Sequence, residues 1–221
     1  MSRQTRLDIY DRLYERYGPQ HWWPGDTPFE IIVGAILTQN TNWKNVEKAI
    51  TNLKNADCLT AEKLNNLPIA KLAELIRPAG YFNIKAQRLK NFLDWLFEKY
   101  DGTLKSLEPL ALSTLREQLL AIKGIGPETA DSICLYGFEK PIFVVDTYTA
   151  RIFGRHGMIE APSGYEQIQE SFHAELQRDA VLFNEFHALI VRAGKEYCKP
   201  NPTCDGCPLE TLPHQLDSEL F

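Results

Sequence analysis

The amino-acid sequence predicts an all-α fold, and three observations support this prediction. Apolar residues recur at helical spacing along most of the 221-residue chain. The stretch Thr27–Glu30 (TPFE) combines a capping box with proline at the first helical position, and an apolar segment follows it to about Leu37. The apolar run 142–145 has no evident second strand to pair with. We interpret it as a buried extended link, because an unpaired strand leaves its backbone groups unsatisfied.

The same helical spacing predicts the elements that follow the first apolar helix. Their approximate ranges are 42–54, 68–76, 83–100, 113–121, 127–137, 147–157, 164–176 and 180–195. Within the long helix at 83–100, we interpret Lys85, Arg88 and Lys90 as a solvated face. At this length the chain can bury a sizeable core.

Composition and charge exclude several classes of function. Apolar residues make up 44% and charged residues 24% of the chain, as in ordinary soluble globular proteins. No apolar run approaches the ~20 residues that span a bilayer, and the first residues lack the apolar core of a signal peptide. We therefore expect no membrane partner and a cytoplasmic location. The net charge of −5 implies that any binding of nucleic acid depends on local geometry rather than on diffuse positive charge.

A glycine-rich turn, KGIG at residues 123–126, joins two of the predicted helices. Gly124 and Gly126 permit positive φ and a close approach of the backbone to a ligand, and Ile125 between them would anchor the turn in the core. The second helix begins at Pro127, so its first amides point outward at the positive end of the helix dipole, and Lys123 adds charge. This geometry suits a phosphate, although the turn taken alone favours a plain helical hairpin.

Asp146 follows the apolar run 142–145 and precedes a predicted helix. A carboxylate in this position is expected to be partly desolvated, with helix amides near one face. Such an environment suits a group that acts on a bound ligand. The alternative is that Asp146 is only a helix cap, which stabilises a protein by about 1 kcal/mol. The two roles are compatible.

Several motifs occur in order along the chain and together carry a family resemblance. They are LTQNT at residues 37–41, YFNIKA at 81–86, LxxIKGIGxxTA at 119–130, VVDT at 144–147 and a group of cysteines near the end. With these motifs the chain resembles the helix-hairpin-helix DNA glycosylases of the endonuclease III superfamily over most of its length. Each motif alone would be weak, and their joint occurrence makes the resemblance specific.

The resemblance implies two helical lobes, with a damaged nucleotide flipped out of double-stranded DNA into the cleft between them. One lobe would be a six-helix barrel over residues 26–140 that contains the hairpin. Residues 1–25 and 141–221 would form the second lobe, which ends in a cysteine-rich iron–sulfur-type loop. We therefore expect a monomer that binds damaged DNA and hydrolyses the N-glycosidic bond in base excision repair.

The resemblance also implies roles for individual residues. Asp146 matches the family's catalytic aspartate, which stabilises positive charge on the sugar and helps to activate water. Gln39 matches the glutamine that fills the gap left in the duplex. Lys123, Gly124, Ile125 and Gly126 match the phosphate-binding hairpin, which positions the strand without contacting a base.

Glu128 departs from the pattern of the bifunctional members of the family, which carry a lysine at this position in GxGxKTA. That amine forms a Schiff base with the sugar and permits strand cleavage, whereas a carboxylate cannot form an imine. We therefore predict a monofunctional glycosylase. Lys123 and Lys195 are alternative amines, so a glycosylase with lyase activity on oxidised pyrimidines or mismatched bases is the second hypothesis. A non-catalytic DNA-binding module is the third.

Three of the four tryptophans, Trp22, Trp23 and Trp43, lie close together in the first part of the chain. The WWP motif, LTQNT and the aromatic residue after it resemble the bacterial 3-methyladenine DNA glycosylases of this superfamily. Those enzymes act on alkylated purines that already carry positive charge, which aromatic faces attract and can sandwich. We assign these tryptophans and Glu128 to a base pocket; burial in the core is the alternative, and the commoner fate of a tryptophan.

Five cysteines in a chain expected to be cytoplasmic favour metal binding or buried thiols over disulfides. Cys198, Cys204 and Cys207 have a metal-type spacing and match the family's iron–sulfur loop, but the family's fourth cysteine, expected near Pro213, is missing. His214 is adjacent and is the candidate fourth ligand. We favour a structural [4Fe-4S] cluster; a Cys3His zinc site is the second hypothesis, and a loop without metal is the third.

Overall fold

The computed structural model describes residues 5–160 and 162–216, and it confirms the predicted all-α fold. No β-strand occurs among these residues. The helices are α1 (Arg6–Tyr17), α2 (Pro28–Thr38), α3 (Trp43–Asn55), α4 (Ala61–Asn66), α5 (Ile69–Leu75), α6 (Phe82–Tyr100), α7 (Leu112–Leu120), α8 (Pro127–Ser132), α9 (Thr147–Arg155), α10 (Tyr165–Glu175) and α11 (Ala180–Glu196). None of the described helices is long and apolar enough to cross a membrane.

The chain divides into two compact units. Pro24–Lys140 form one of them, which we call the hairpin unit because it contains the turn before α8. Met1–Trp23 and Pro141–Phe221 form the other, which we call the aspartate unit because it contains Asp146. The arrangement of the hairpin unit as a six-helix barrel stays a prediction.

Helix α2 forms the centre of the hairpin unit. It is apolar on all sides, as expected of a helix surrounded by other elements, and it packs against α3, α6 and α8. Thr27 caps it by accepting a hydrogen bond from the Glu30 N–H at 3.2 Å. The second half of the predicted capping box differs, because the Glu30 carboxylate accepts from the Asp26 N–H at 3.3 Å and pairs with Lys54 at 2.8 Å.

A buried lysine holds the end of α2 in place. Lys85 on α6 is 1% exposed, and its Nζ donates to Leu37 O and Ala79 O, both at 2.8 Å. Burial lowers the pKa of Lys85 to about 8. The interpretation of Lys85 as part of a solvated face was therefore wrong. Its amine fixes the chain immediately before Gln39, so it helps to position the candidate site.

The core of the aspartate unit is built on aromatic rings around the segment 142–145. The Phe143 ring stacks on the Phe172 ring with centroids 3.9 Å apart, and residues 142–145 are all buried. Side chains satisfy the backbone of this extended segment: the Phe143 N–H donates to His173 Nε2 at 3.0 Å, and Gln169 Nε2 donates to Phe143 O at 2.7 Å. The predicted buried link therefore forms without a partner strand, because two side chains take the place of a ladder.

The sequence missed or simplified three elements. It gave no helix for Ala61–Asn66, which is short, and described the segment of α1 only as amphipathic. The predicted helix at 127–137 is two pieces, because α8 ends at Ser132 and a π-helical turn covers Ile133–Gly137. Short helices and single wider turns carry too few apolar repeats to give a periodic signal.

Candidate functional site

The turn before α8 combines a buried anchor with an exposed backbone. Ile125 is 5% exposed, and its N–H donates to Ile122 O at 3.0 Å. Lys123 and Gly126 are exposed beside it. Gly126 is the N-cap residue of α8, and no side chain caps this helix. The outer face of the turn therefore offers main-chain groups and one positive charge to an anion.

The two glycines of the turn serve different purposes. Gly124 has a φ of +98°, and a Cβ atom there would lie 2.5 Å from Arg88 Cγ, so backbone conformation and packing both require glycine. Gly126 has a φ of −96°, and nothing lies within 4 Å of the position of its missing Cβ. Neither backbone conformation nor packing therefore requires glycine at position 126.

Gln39 lies at the end of α2 and is tied to the turn by its side chain. Its Nε2 donates to Gly124 O at 3.0 Å and to Thr129 Oγ1 at 2.9 Å, while Arg88 Nη1 donates to its Oε1. The structure thus brings Gln39, Gly124 and Arg88 together within the hairpin unit. Both ends of the Gln39 amide group therefore make hydrogen bonds within the protein.

Glu128 lies exposed in the first turn of α8. The helix that carries it is fixed to α7 by an ion pair, because the buried Asp131 accepts two hydrogen bonds from Arg116, at 2.7 and 3.2 Å. The carboxylate of Glu128 therefore lies exposed on a well-held helix, directly after the glycine turn.

Asp146 is the N-cap residue of α9, with its side chain 11% exposed. Its Oδ1 accepts hydrogen bonds from the Thr149 N–H at 2.7 Å and from Thr149 Oγ1 at 2.9 Å. Asp146 is therefore both a helix cap and a partly desolvated acid, and the sequence had left both roles open. Capping fixes the carboxylate at the start of a helix, where the helix dipole also favours negative charge.

A buried histidine faces the other oxygen of this acid. His187 Nε2 lies 3.6 Å from Asp146 Oδ2, and the histidine side chain is 6% exposed. Burial works to raise the pKa of Asp146, but the pairing with His187 and the bonds from Thr149 outweigh it and leave the pKa below its usual value. The acid is therefore ionised at neutral pH although it is largely enclosed.

The three tryptophans assigned to a base pocket are half-buried, whereas the remaining one, Trp95, is 9% exposed. Trp22 and Trp23 belong to the aspartate unit and meet edge to face, with centroids 5.4 Å apart. Lys195 Nζ lies 5.9 Å from the centroid of Trp22. A cavity of about 340 Å³ is lined by Gln20, Trp22, Ala188, Val191, Arg192, Lys195 and Glu196. Trp43 begins α3 in the hairpin unit.

The three cysteines near the end of the chain line one small cavity, of about 30 Å³, together with His214. Arg155 reaches the same cavity, and its Nη1 lies 3.1 Å from Cys198 Sγ. His214 Nδ1 lies 2.8 Å from Leu212 O, an arrangement that leaves its Nε2 as the atom for a ligand.

The thiols of the three cysteines and the His214 imidazole are the donors that a [4Fe-4S] cluster or a zinc ion would use. Among the described residues, no three His, Cys, Asp or Glu side chains converge so that one ion could bind them all. Tetrahedral zinc takes four N or S ligands, so a Cys3His set also suits zinc in its chemistry. An iron–sulfur cluster takes each thiolate at a different iron and fits ligands distributed around a cavity. The donor set of Cys198, Cys204 and Cys207 fits a cluster in its chemistry.

Comparisons with known proteins agree on one family. Residues 33–178 match the family described as HhH-GPD superfamily base excision DNA repair protein. The chain belongs to this superfamily. A candidate DNA repair glycosylase of Methanocaldococcus jannaschii is 48% identical over 204 residues, which cover 91% of this chain and 92% of that protein.

Two solved structures of glycosylases have the same fold. The 3-methyladenine DNA glycosylase MagIII of H. pylori, bound to 1,N6-ethenoadenine, is 31% identical with a TM-score of 0.75 and covers 87% of this chain and 98% of its own. Endonuclease III in a non-covalent DNA complex has a TM-score of 0.81 at 21% identity and covers 97% of each chain, which shows the shared fold. The HhH-GPD protein described here is thus a DNA glycosylase of base excision repair, as its sequence predicted.

Several residues of the site were missed or misjudged from the sequence of this glycosylase. His187 was not connected with Asp146, because the two are far apart in the chain and share no local pattern. Thr129 was only part of the hairpin motif, and Arg88 was placed on a solvated face although it packs beneath Gly124. Only the tertiary arrangement reveals these contacts.

The two glycines of the turn give a matched pair of variants. Gly124→Ala should lower the free energy of unfolding by about 1–3 kcal/mol, because it introduces strain and a clash with Arg88. Gly126→Ala should change it by less than about 0.5 kcal/mol, yet weaken binding of a duplex with an abasic-site analogue about fivefold if it loses one phosphate contact. Chemical denaturation and fluorescence anisotropy measure the two effects. Unchanged binding by Gly126→Ala would show that the strand does not touch the turn at this residue.

Proposed function

We propose that this glycosylase is monofunctional and releases alkylated purines such as 3-methyladenine by hydrolysis. The observation that carries the proposal is Asp146, a nearly enclosed carboxylate with a lowered pKa at the start of α9. Glu128 supports the hydrolytic mode, and the half-buried tryptophans support the class of base.

Asp146 supplies negative charge where the reaction creates positive charge. As the N-glycosidic bond breaks, the base leaves with the bonding electron pair and the deoxyribose becomes oxocarbenium-like. A fixed carboxylate in a poorly solvated site stabilises this state more than it would in water. Water would then add to the sugar carbon, and Asp146 would accept its proton.

The hairpin would hold the strand that contains the damaged nucleotide. The exposed Lys123 and the uncapped backbone at Gly126 offer a charge and main-chain groups to a phosphate, while Gly124 and Ile125 give the turn its shape. Gln39 would fill the gap in the duplex. Because its side chain is bonded to Gly124 O and Thr129, it must exchange these contacts for the DNA.

Glu128 favours hydrolysis over strand cleavage. A lyase step needs a neutral amine that attacks the sugar and forms an imine, and a carboxylate cannot do this. Lys195 is exposed on α11 and Lys123 is exposed in the turn, and neither stands at the position of the family's nucleophile. We therefore place the chain with the hydrolytic enzymes.

The choice of an alkylated purine follows from the aromatic residues. Trp22, Trp23 and Trp43 have partly accessible rings, and a purine that carries positive charge gains from contact with a ring face. Such a base leaves as a neutral molecule, so the enzyme needs no strong acid. The related MagIII is described bound to 1,N6-ethenoadenine, an alkylated purine. We include Glu128 in this pocket because its negative charge complements a cationic base.

We also propose a structural [4Fe-4S] cluster held by Cys198, Cys204 and Cys207, with His214 as the fourth ligand. The support is that these residues line one cavity. The cluster would cross-link the terminal loop and would take no part in base release. Arg155 fixes the loop from the protein side, because it donates to Lys199 O and Pro200 O at 2.8 Å each.

Asp146→Asn should stop release of 3-methyladenine from methylated DNA, with a loss of at least about 100-fold, while binding of damaged duplex changes little. Asp179→Asn is the matched control, since Asp179 also caps a helix of the same unit and accepts from the Leu182 N–H at 2.9 Å. Single-turnover assays with chromatography of the released bases measure the effect. Equal release by the Asp146→Asn and Asp179→Asn variants would reduce Asp146 to a cap, and release of oxidised pyrimidines instead would overturn the choice of substrate.

Borohydride trapping tests the absence of a lyase step. The parent protein should give no covalent adduct with abasic-site DNA, because position 128 carries no amine. Glu128→Lys should give an adduct if α8 presents this position to the sugar. A strong adduct with the parent protein would contradict monofunctionality, and its loss in Lys123→Ala or Lys195→Ala would identify the amine.

Iron analysis tests the cluster. Protein purified anaerobically should be brown and contain about four iron atoms per chain. Cys204→Ser should lose the colour, whereas Cys58→Ser, at a buried thiol of the hairpin unit, should retain it. His214→Ala should lower the iron content if His214 is a ligand. Colourless parent protein that contains zinc would refute the cluster.

A further inference from the structure

The two oxygens of the Asp146 carboxylate have different surroundings. Oδ1 accepts both hydrogen bonds from Thr149, at 2.7 and 2.9 Å, and so serves the start of α9. Oδ2 makes the contact with His187, at 3.6 Å. This division leaves Oδ2 as the oxygen whose charge is available for chemistry, and it places a histidine next to that oxygen.

Close packing of α9 against α11 fixes the distance between the histidine and the acid. A Cβ atom at Gly194 of α11 would lie 2.3 Å from the Tyr148 ring of α9, so the two helices approach as closely as glycine permits. Beside His187, Phe186 is fully buried and meets the Phe143 ring edge to face. The imidazole therefore has little freedom to move away from Asp146.

The contact between His187 and Asp146 matters for the proposed reaction because Asp146 must stay ionised. A carboxylate that is 11% exposed tends to bind a proton, and a protonated acid can neither stabilise a sugar cation nor accept a proton from water. The His187 Nε2, 3.6 Å from Oδ2, favours the ionised carboxylate over the protonated acid. Since burial by itself would raise the pKa of Asp146, the pairing with His187 and the bonds from Thr149 account for a pKa below the usual value.

We propose that His187 is a positioning residue of the glycosylase, which keeps Asp146 ionised and holds its Oδ2 in place. The inference rests on the proposed function of Asp146. His187 itself contacts the acid and carries no part of the bond-breaking step.

The elements that surround this pair also carry other charged and titratable side chains. Those on α9 are Tyr148, whose pKa is raised by burial and by Asp146, and Arg151, whose guanidinium lies over the Tyr148 ring. Helix α1 contributes Tyr10, against Phe186, and α10 contributes His173, which stacks on Phe183. On α11 itself, Glu185 accepts from the Gln20 N–H at 2.7 Å. None of these side chains is among the causes of the lowered pKa of Asp146, which are His187 and Thr149.

The test is the pH profile of base release under single-turnover conditions, with methylated DNA as substrate. A cationic 3-methyladenine leaves without further protonation, so the acidic limb reports on Asp146. The parent rate should vary little between pH 5 and pH 8. In His187→Gln the pKa of Asp146 should rise, because the side chain that opposes its protonation has been replaced. Release at pH 5 should then be at least about threefold slower than at pH 8.

Two further variants separate charge from shape. His187→Lys supplies a positive charge at the same position and should move the acidic limb back towards that of the parent. His173→Gln replaces another buried histidine of the same unit and should leave the profile unchanged, because its ring bonds the Phe143 N–H rather than Asp146. A His187→Gln profile that superimposes on that of the parent would overturn the proposal.

A double-mutant cycle keeps this test separate from the test of function. If the parent releases no base, the proposed function fails, and the cycle of Asp146→Asn and His187→Gln on unfolding by denaturant decides the pair. A real ion pair makes the double variant more stable than additivity predicts, by at least about twofold in the unfolding equilibrium constant. Additive losses would refute the pairing, whether or not base release is found.

Discussion

An ionised carboxylate held almost entirely inside the protein is the constraint on which the candidate site depends. Asp146 meets this constraint by using one oxygen to cap α9 and placing the other beside His187. Capping of α9, which stabilises the fold, therefore also fixes the orientation of the Asp146 carboxylate. Under the proposed function, folding and chemistry would share this carboxylate, so a change at Asp146 would affect both.

In the hairpin unit, too, buried polar side chains are fixed by hydrogen bonds, here those of a lysine and a glutamine. Lys85 bonds the carbonyls of Leu37 and Ala79, and two residues after Leu37 the side chain of Gln39 bonds the turn before α8. Buried polar groups are costly unless paired, so these contacts restrict the chain to one local arrangement. The turn that is proposed to meet DNA is thereby shaped before any strand arrives.

The acidic composition of the chain places a limit on how it can recognise DNA. A net charge of −5 provides no general attraction for a polyanion, so the proposed binding would depend on the few exposed donors of the turn and on Lys123. Such an interface positions a strand without selecting a sequence. In the proposed function, selection of the damaged base is assigned to the half-buried aromatic residues.

Local patterns in the sequence determined the fold class, most of the helices, the hairpin and the capping acid, because each depends on residues within a few turns of one another. The tertiary structure decided which polar residues meet. It turned Lys85 inward from a face that looked solvated, and it placed His187 beside Asp146 across a long stretch of chain. Helical spacing reports which residues share a face of one helix. Helical spacing does not show which buried side chain of a distant helix contacts a given residue, because that depends on how the helices pack.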